Sequence, residues 1–460
     1  MNTVSEDILK SCDIRGIYPR PLGNPQAEQV GMALGALIKK QAQGNIKTVV
    51  GCDIRVSGET LKKTLIRALS DSGLKVYDAG LVSTPLLAFA TGQVDAAVGI
   101  MITASHNPPN TNGFKFFLKG LPASPAWLEQ FYQLLRQGSS RKGAGIIEKK
   151  DFLADYRNAI VNRSGRNLKN VKLVIDPGNG MTALTAPPIL KALHCVFEVM
   201  NPELDGNYPG RGADSSRPET LAALGERVRR SKAHFGAAFD GDGDRVSFVD
   251  EKGIEVPNDL IICLLAKHFL RGKKNAKVVY DAKCSDWVEK VVQSAGGTAI
   301  LEKSGHSYIY ARMKEEKALL GGEASGHFFL PGPFPGDALF ACLKVVEIVL
   351  EGKKPFSEFF QEFPKRVSTH DIKIQMEPQT VVDLYKRLHA RAEEMGAKVS
   401  TVDGIRAVFG ESWGIARRSV TEPVVGIRME APSAKKLEEL TKNWLREFPE
   451  IQKMVLESQN

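Results

Sequence analysis

The chain has 460 residues, which at about 150 residues per domain implies about three domains rather than one core. With 43% hydrophobic and 25% charged residues it is too apolar for a disordered chain, yet its longest apolar stretch, 260–266, is far short of the roughly 20 residues of a spanning helix. The net charge of +9 is thin over this length and its clusters around Arg229 and Lys273 lack stacking aromatics, so membrane and nucleic-acid partners are excluded in favour of anionic small molecules.

In chain order, the first residues carry acids where a secretory signal has its apolar run, which implies a cytoplasmic protein. Six cysteines (Cys12, Cys52, Cys195, Cys263, Cys284, Cys342) stand singly, as reduced structural thiols do. Val30, Leu34, Leu37 and Ile38 fall at i, i+4, i+7 and i+8, one face of a helix. The runs 48–53, 173–178 and 278–283 are each a short apolar strand reaching an aspartate (Asp53, Asp176, Asp281) and opening into a polar loop and an amphipathic helix.

Segment 138–145, rich in Gly and Ser, reads as a flexible connection; 255–258 precedes a new helix, and 364–366 closes a third block. These boundaries give units 1–150, 151–256 and 257–368, three related mixed-sheet α/β domains. The last unit, 369–460, is a smaller α+β domain. It has helices over 380–395 and 434–448 around strands 399–402, 405–409, 414–417 and 424–429, with a tight turn at Asp403 and Gly404.

Four segments carry chemistry. After the apolar strand 97–101 comes Ser105, flanked by His106 and Asn107 and stiffened by Pro108 and Pro109; Lys115 follows, a charge for phosphate or a proton-transfer group. Asp240, Asp242 and Asp244 alternate with glycines, a loop that folds carboxylates around one hard cation. An EF-hand does not fit, because Arg245 takes the position of the turning glycine and 246–249 reads as a strand rather than a helix. With only three protein carboxylates the ion keeps positions open for water or phosphate, which suits Mg²⁺. Glu323, Ser325 and His327 sit between glycines in a polar loop fit for sugar hydroxyls. Arg417, Ser419 and Thr421 form a short phosphate cradle.

Taken together and in this order, the segments resemble those of the α-D-phosphohexomutase superfamily, which includes the phosphomannomutase/phosphoglucomutase enzymes. The match runs from Cys12, Asp13, Ile14, Arg15 and Gly16 to Thr421, Glu422 and Pro423. The resemblance implies four domains around a central cleft. It implies Ser105 as a phosphoserine whose phosphate joins Asp240, Asp242 and Asp244 on Mg²⁺, and Glu323 and Ser325 as ligands of the sugar O3 and O4. Arg417, Ser419 and Thr421 become the clamp on the unreacting phosphate. Arg15, Lys115, Arg245, Lys283, His306 and His327 also fall on active-site positions, with Lys115 and the two histidines as proton-transfer groups.

The implied reaction interconverts hexose 1- and 6-phosphates of glucose or mannose through a 1,6-bisphosphate that turns end for end. The implied partner is a phosphosugar, and the expected state a monomer or weak dimer. Two departures stand out. Cys12, where tyrosine is frequent, implies looser packing at the mouth of the cleft. Val420, where asparagine is frequent, implies one phosphate hydrogen bond fewer.

Phosphoglucosamine mutase is the nearest alternative, disfavoured because Ala324 stands where glutamine is common in relatives acting on glucosamine. A serine-dependent sugar phosphatase makes the second phosphate clamp redundant. A non-enzymatic phosphosugar-binding protein has no need of Ser105 and all three aspartates.

Overall fold

Strand-forming apolar runs generate four successive β-sheets, and in the first three the central strand leads into an aspartate. The computed structural model describes residues 4–41, 46–138, 143–164, 167–332, 335–369, 371–419 and 424–458. The first sheet is ordered Ile14–Ile17, Thr111–Leu118, Val98–Ile102, Lys47–Cys52, Lys75–Leu81, Ile146–Lys149, with Leu121–Pro122 pairing beside Thr111–Leu118. The second runs Glu255–Val256, Val246–Val249, Phe235–Phe239, Lys172–Asp176, Val196–Val199. The third runs Thr298–Glu302, Lys277–Asp281, Leu320–Gly322, Phe328–Phe329.

One four-strand unit recurs in all three sheets. Its central strand (Lys47–Cys52, Lys172–Asp176 or Lys277–Asp281) lies between two parallel neighbours. The later neighbour then reverses through a short loop into an antiparallel strand. The loops so generated follow Ile102, Phe239 and Gly322, and they carry the serine, aspartate and glutamate segments. The three chemical motifs therefore occupy equivalent places at strand C-terminal ends, where open α/β sheets present their ligands.

A single apolar core runs through these three domains. It joins Val49 and Phe117 of the first sheet, Phe235 and Phe248 of the second, and Val278 and Phe328 of the third. Helix Ala338–Gly352 contributes Leu339, Phe340, Leu343 and Val346 to the same core. Helix Asn24–Gln41 buries Val30, Leu34, Leu37 and Ile38 against the other face of the first sheet, as its periodicity requires.

The fourth sheet is wholly antiparallel and has its own core, with Leu388, Ile427 and Trp444 at its centre. Strands Lys398–Ser400 and Ile405–Phe409 pair across the expected turn, where Gly404 takes φ +70°. Strand Ile372–Gln375 and helix Pro449–Glu457 gave no recognised signal in the sequence. Val367–Ser368 already pairs with Val424–Ala431, two residues ahead of the expected start of this domain.

The expected flexible connection 138–145 is held at its end. Gly145 N donates to Ser70 O at 2.8 Å, and a Cβ on Gly143 would lie 2.8 Å from Gly73 Cα. The absence of side chains serves close packing there rather than freedom; 139–142 lie outside the described residues. All six cysteines are free and buried. Among the described residues no helix is long and apolar enough to cross a membrane.

Candidate active site

Ser105 adopts φ +54°, a left-handed conformation that a non-glycine residue holds only when its surroundings impose it. The imposing group is Arg55, buried behind the loop. Its Nη2 donates to the carbonyls of Ser105 (2.8 Å) and Asn107 (2.7 Å), and its Nη1 to those of Pro108 (2.6 Å) and Thr111 (2.9 Å). Asp53 pairs with Arg55 at 3.2 Å and accepts from Thr103 Oγ1 at 2.6 Å. Thr103 Oγ1 in turn accepts from Ser105 N at 2.9 Å. Arg15 adds a strap on the opposite side, donating to Asn107 Oδ1 at 2.7 Å and to Asp13 at 2.5 Å.

The Ser105 hydroxyl donates to Asp240 Oδ2 at 2.6 Å. This contact requires the second domain's loop to come against the first, and Gly241 permits it, since a Cβ there would be 2.7 Å from Ser105 O. Asp240 Oδ1 accepts from the backbone N–H groups of Gly243, Asp244 and Arg245, each at 3.1 Å, which shapes the loop. Lys115 Nζ bridges Asp242 Oδ2 (2.7 Å) and Asp244 Oδ2 (2.5 Å), and Thr84 Oγ1 also donates to Asp242.

All three carboxylates are buried, with one oxygen of each within 4.8 Å of the others. Asp242 Oδ1 and Asp244 Oδ1 have no hydrogen-bond partner. Orphaned buried carboxylate oxygens on a common focus are costly unless a cation satisfies them, so the donor set fits a hard divalent ion. Burial, reinforced by Asp242 and Asp244, pushes Asp240 well above the usual carboxylate range. Burial opposes the charge on Asp242 and Asp244 as well, but Lys115 holds both below that range. Burial likewise works against the Lys115 ammonium, which the carboxylates outweigh, so it stays charged.

Beside this cluster, at His106, Asn107 and Arg245, opens a cleft of about 550 Å³; Ser105, Lys115, the three aspartates and His327 are buried behind its lining. Its walls bring together Arg15, Arg245, Lys283, His306, Glu323, Ser325, Arg417 and Ser419 from all four domains. Thr421 and Val420 lie outside the described residues. Glu323 Oε2 accepts from Gly305 N at 3.0 Å, and Ser325 Oγ is buried without a protein partner. Burial and the neighbouring Asp281 charge raise Glu323 to about 7. Its loop turns at Gly326 (φ +85°), where a Cβ would be 2.3 Å from Val246 O.

His306 and His327 stack with ring centroids 5.9 Å apart. Burial lowers His306 to about 4, with Lys115 adding to it, and lowers His327 to about 3 against the pull of Asp244. Both rings are therefore neutral near pH 7. Cys12 is buried beside them. Its sulfur is 2.9 Å from where a Cβ on Gly305 would stand, so the backbone before His306 packs closely on Cys12.

Several supporting residues went unassigned in the sequence. Arg55 and Thr103 act on groups up to 56 positions away. Asp53, Asp176 and Asp281 were visible only as strand ends, yet each anchors the neighbouring hairpin loop. Asp53 does so through Thr103, Asp281 through Ala324 N at 3.1 Å, and Asp176 through Arg211, which also donates to Phe239 O.

A buried serine hydroxyl against a carboxylate trio that fits a hard cation, beside a cleft walled by a polar loop and cationic side chains, is an arrangement suited to a phosphate-bearing ligand. Phosphoglucomutase/phosphomannomutase family models match domain I over 7–142, domain II over 150–253, domain III over 257–367 and the C-terminal domain over 373–446. The phosphomannomutase/phosphoglucomutase of Pseudomonas putida is 34% identical over 453 residues, 97% of each chain. The phosphoglucomutase of Neisseria gonorrhoeae is 33% identical over 96% of each. A crystal structure of a phosphoglucomutase/phosphomannomutase family protein from Burkholderia thailandensis superposes with TM-score 0.85 at 31% identity, covering 96% of this chain and 97% of that one. The chain belongs to the phosphoglucomutase/phosphomannomutase family, and it is an isomerase of the phosphohexomutase type.

Proposed function

We propose that the enzyme interconverts the 1- and 6-phosphates of glucose and mannose through phosphoserine 105 and a bound hexose 1,6-bisphosphate, which also serves as activator. The observation that carries this reading is the Ser105 hydroxyl, held in a left-handed loop 2.6 Å from Asp240 of a buried carboxylate trio, directly behind the wall of a cationic cleft. Asp240, Asp242 and Asp244 would hold Mg²⁺, which when bound offsets the charge of the transferring phosphoryl group.

The remaining chemistry belongs to the side chains. Lys115, kept charged, serves as a fixed counter-charge more readily than as a base, whereas the neutral rings of His306 and His327 suit the proton of the attacking hydroxyl. Glu323 and Ser325 would accept and orient adjacent sugar hydroxyls, with Lys283 offsetting the Glu323 charge. Arg15 and Arg245 flank the reacting phosphate, and Arg417, Ser419 and Thr421 grip the other. The bisphosphate then turns, and its second phosphoryl group passes to Ser105.

Glu323 and Ser325 address positions at which glucose and mannose are alike, which supports dual specificity, while Ala324 has no hydrogen-bonding group for an amino sugar, which disfavours phosphoglucosamine mutase. The proposed units are 1–150, 151–256, 257–368 and 369–460, supported by the four sheets. A cytoplasmic monomer or weak dimer is in keeping with free buried thiols and a site drawn from one chain.

The test is phosphorus NMR of the enzyme with Mg²⁺, a trace of glucose 1,6-bisphosphate, and mannose or glucose 1-phosphate. The 6-phosphate should accumulate. Free inorganic phosphate instead would mean a phosphatase, and unchanged substrate a binding protein.

A further inference from the structure

The turn between Lys398–Ser400 and Ile405–Phe409 holds a group with two partners in different domains. Asp403 Oδ2 accepts from Arg417 Nε at 2.5 Å and from Ser304 N at 3.1 Å. Ser304 and Gly305 immediately precede His306. Ser304 Oγ donates to Asp281 Oδ2 at 2.8 Å, and Gly305 N donates to Glu323 at 3.0 Å. Hydrogen bonds thus link the arginine of the fourth domain, through Asp403, to the backbone two residues before His306 and, through Ser304 and Gly305, to Asp281 and Glu323 of the third.

The turn itself has little play. A Cβ on Gly404 would lie 2.1 Å from Ala416 O and 2.8 Å from Arg417 Cα, so Asp403 is pressed onto the strand it serves. Arg417 Nη2 stays buried without a protein partner on the cleft wall, available to a phosphate oxygen.

We propose that Asp403 is a positioning residue: one of its carboxylate oxygens sets the Arg417 guanidinium and the loop bearing His306 in register with each other. The fourth domain then delivers a phosphate clamp already aligned with the third domain's proton-transfer loop. A turning bisphosphate needs this alignment, because its two ends exchange places between the two groups. The proposal rests on the reading of Arg417 as a ligand of the unreacting phosphate.

The test is steady-state kinetics with glucose 1-phosphate and glucose 6-phosphate, combined with hydrogen exchange at the Ser304 and Gly305 amides. Asp403→Asn keeps an acceptor for Ser304 N but loses the charge facing Arg417. It should raise KM about tenfold in both directions with kcat little changed, the difference between a charge-assisted and a neutral hydrogen bond. Asp403→Ala loses both bonds, and should add a severalfold fall in kcat and faster exchange at Ser304.

On an Arg417→Ala background, Asp403→Ala should raise KM no further yet still lower kcat. Full multiplication of the two KM effects, or a wild-type KM in Asp403→Asn, overturns the positioning role. If Arg417→Ala leaves both KM values unchanged, the clamp reading fails, and the proposal with it. Asp403→Asn is nearly isosteric and preserves the test should the alanine variant fail to fold.

Discussion

The first three domains and the fourth are joined in different ways. Between the first three runs one apolar core, fully buried at Phe235, Phe248, Val278 and Leu343. The fourth meets the third over a small apolar contact of Ala282, Trp413 and Ile415, and otherwise through polar groups. Arg406 donates to the carbonyls of Ala282 and Cys284 at 3.1 Å, Ser285 donates to Glu430 at 2.7 Å, and Arg366 bridges Asp286 and Glu430. Apolar interdigitation fixes one geometry, whereas hydrogen bonds can be exchanged for water at modest net cost. On the proposed mechanism, bond-making falls to the apolar-cored block and phosphate capture to the domain joined to it mainly through polar contacts.

The sharpest way to break this division is at its chemical centre. Ser105→Ala should cut kcat by at least about a thousandfold while the variant still binds phosphosugar, as for loss of a nucleophile elsewhere. Turnover near wild type, with contaminating enzyme excluded, would remove Ser105 from the mechanism. Asp242→Asn should weaken Mg²⁺ binding in calorimetry and lower kcat on the order of a hundredfold, comparable to loss of one preorganised electrostatic contact. Excess chelator should silence the wild type, and persistent activity would contradict the metal site.

Arg417→Ala lies in the polar-joined fourth domain and should act on capture. We expect kcat/KM to fall roughly ten- to a hundredfold in both directions, mostly through KM, with Mg²⁺ affinity unchanged. A loss confined to kcat would erase the contrast between the two regions.

The smallest effect sharpens it from the side of stability. Glu323 has its folded pKa raised from 4.5 to about 7, so between those values the folded protein holds a proton that the unfolded chain releases. Stability is lost as pH rises through this window. Glu323→Gln removes the dependence, and its melting temperature should match the wild type at pH 4.5 and exceed it at pH 8 by about 2–4 °C. An equal difference at both pH values would show that burial of this carboxyl is not the cause.

What the sequence disclosed follows the same physical divide. Ser105, the three aspartates and Glu323 lie in short contiguous motifs whose composition already limits their chemistry, and the helix through Val30 and Ile38 shows its period openly. The turn at Asp403 and Gly404 was legible as a turn, but its partner Ser304 N is a backbone group of another domain and leaves no trace in composition. Arg55 is similar: an arginine two residues after a strand-end aspartate looks like surface charge until four distant carbonyls converge on it. Gly143 and Gly145 misled, because lack of a side chain signals freedom and tight packing alike.

The three equivalent hairpin loops bear on how such an enzyme can change. Each is pinned from outside itself, by an aspartate at the end of the adjacent strand, directly or through Thr103 or Arg211. The contents of a loop can then diverge while its anchorage stays the same. On the proposed reading, a recurring unit of this kind can carry the nucleophile in one domain, the cation ligands in the next and the sugar contacts in the third without redesign of the scaffold. On that reading new substrate preferences would be most accessible between Glu323 and His327, where one loop can be rewritten while the serine and aspartate loops of the other two domains keep their sequence.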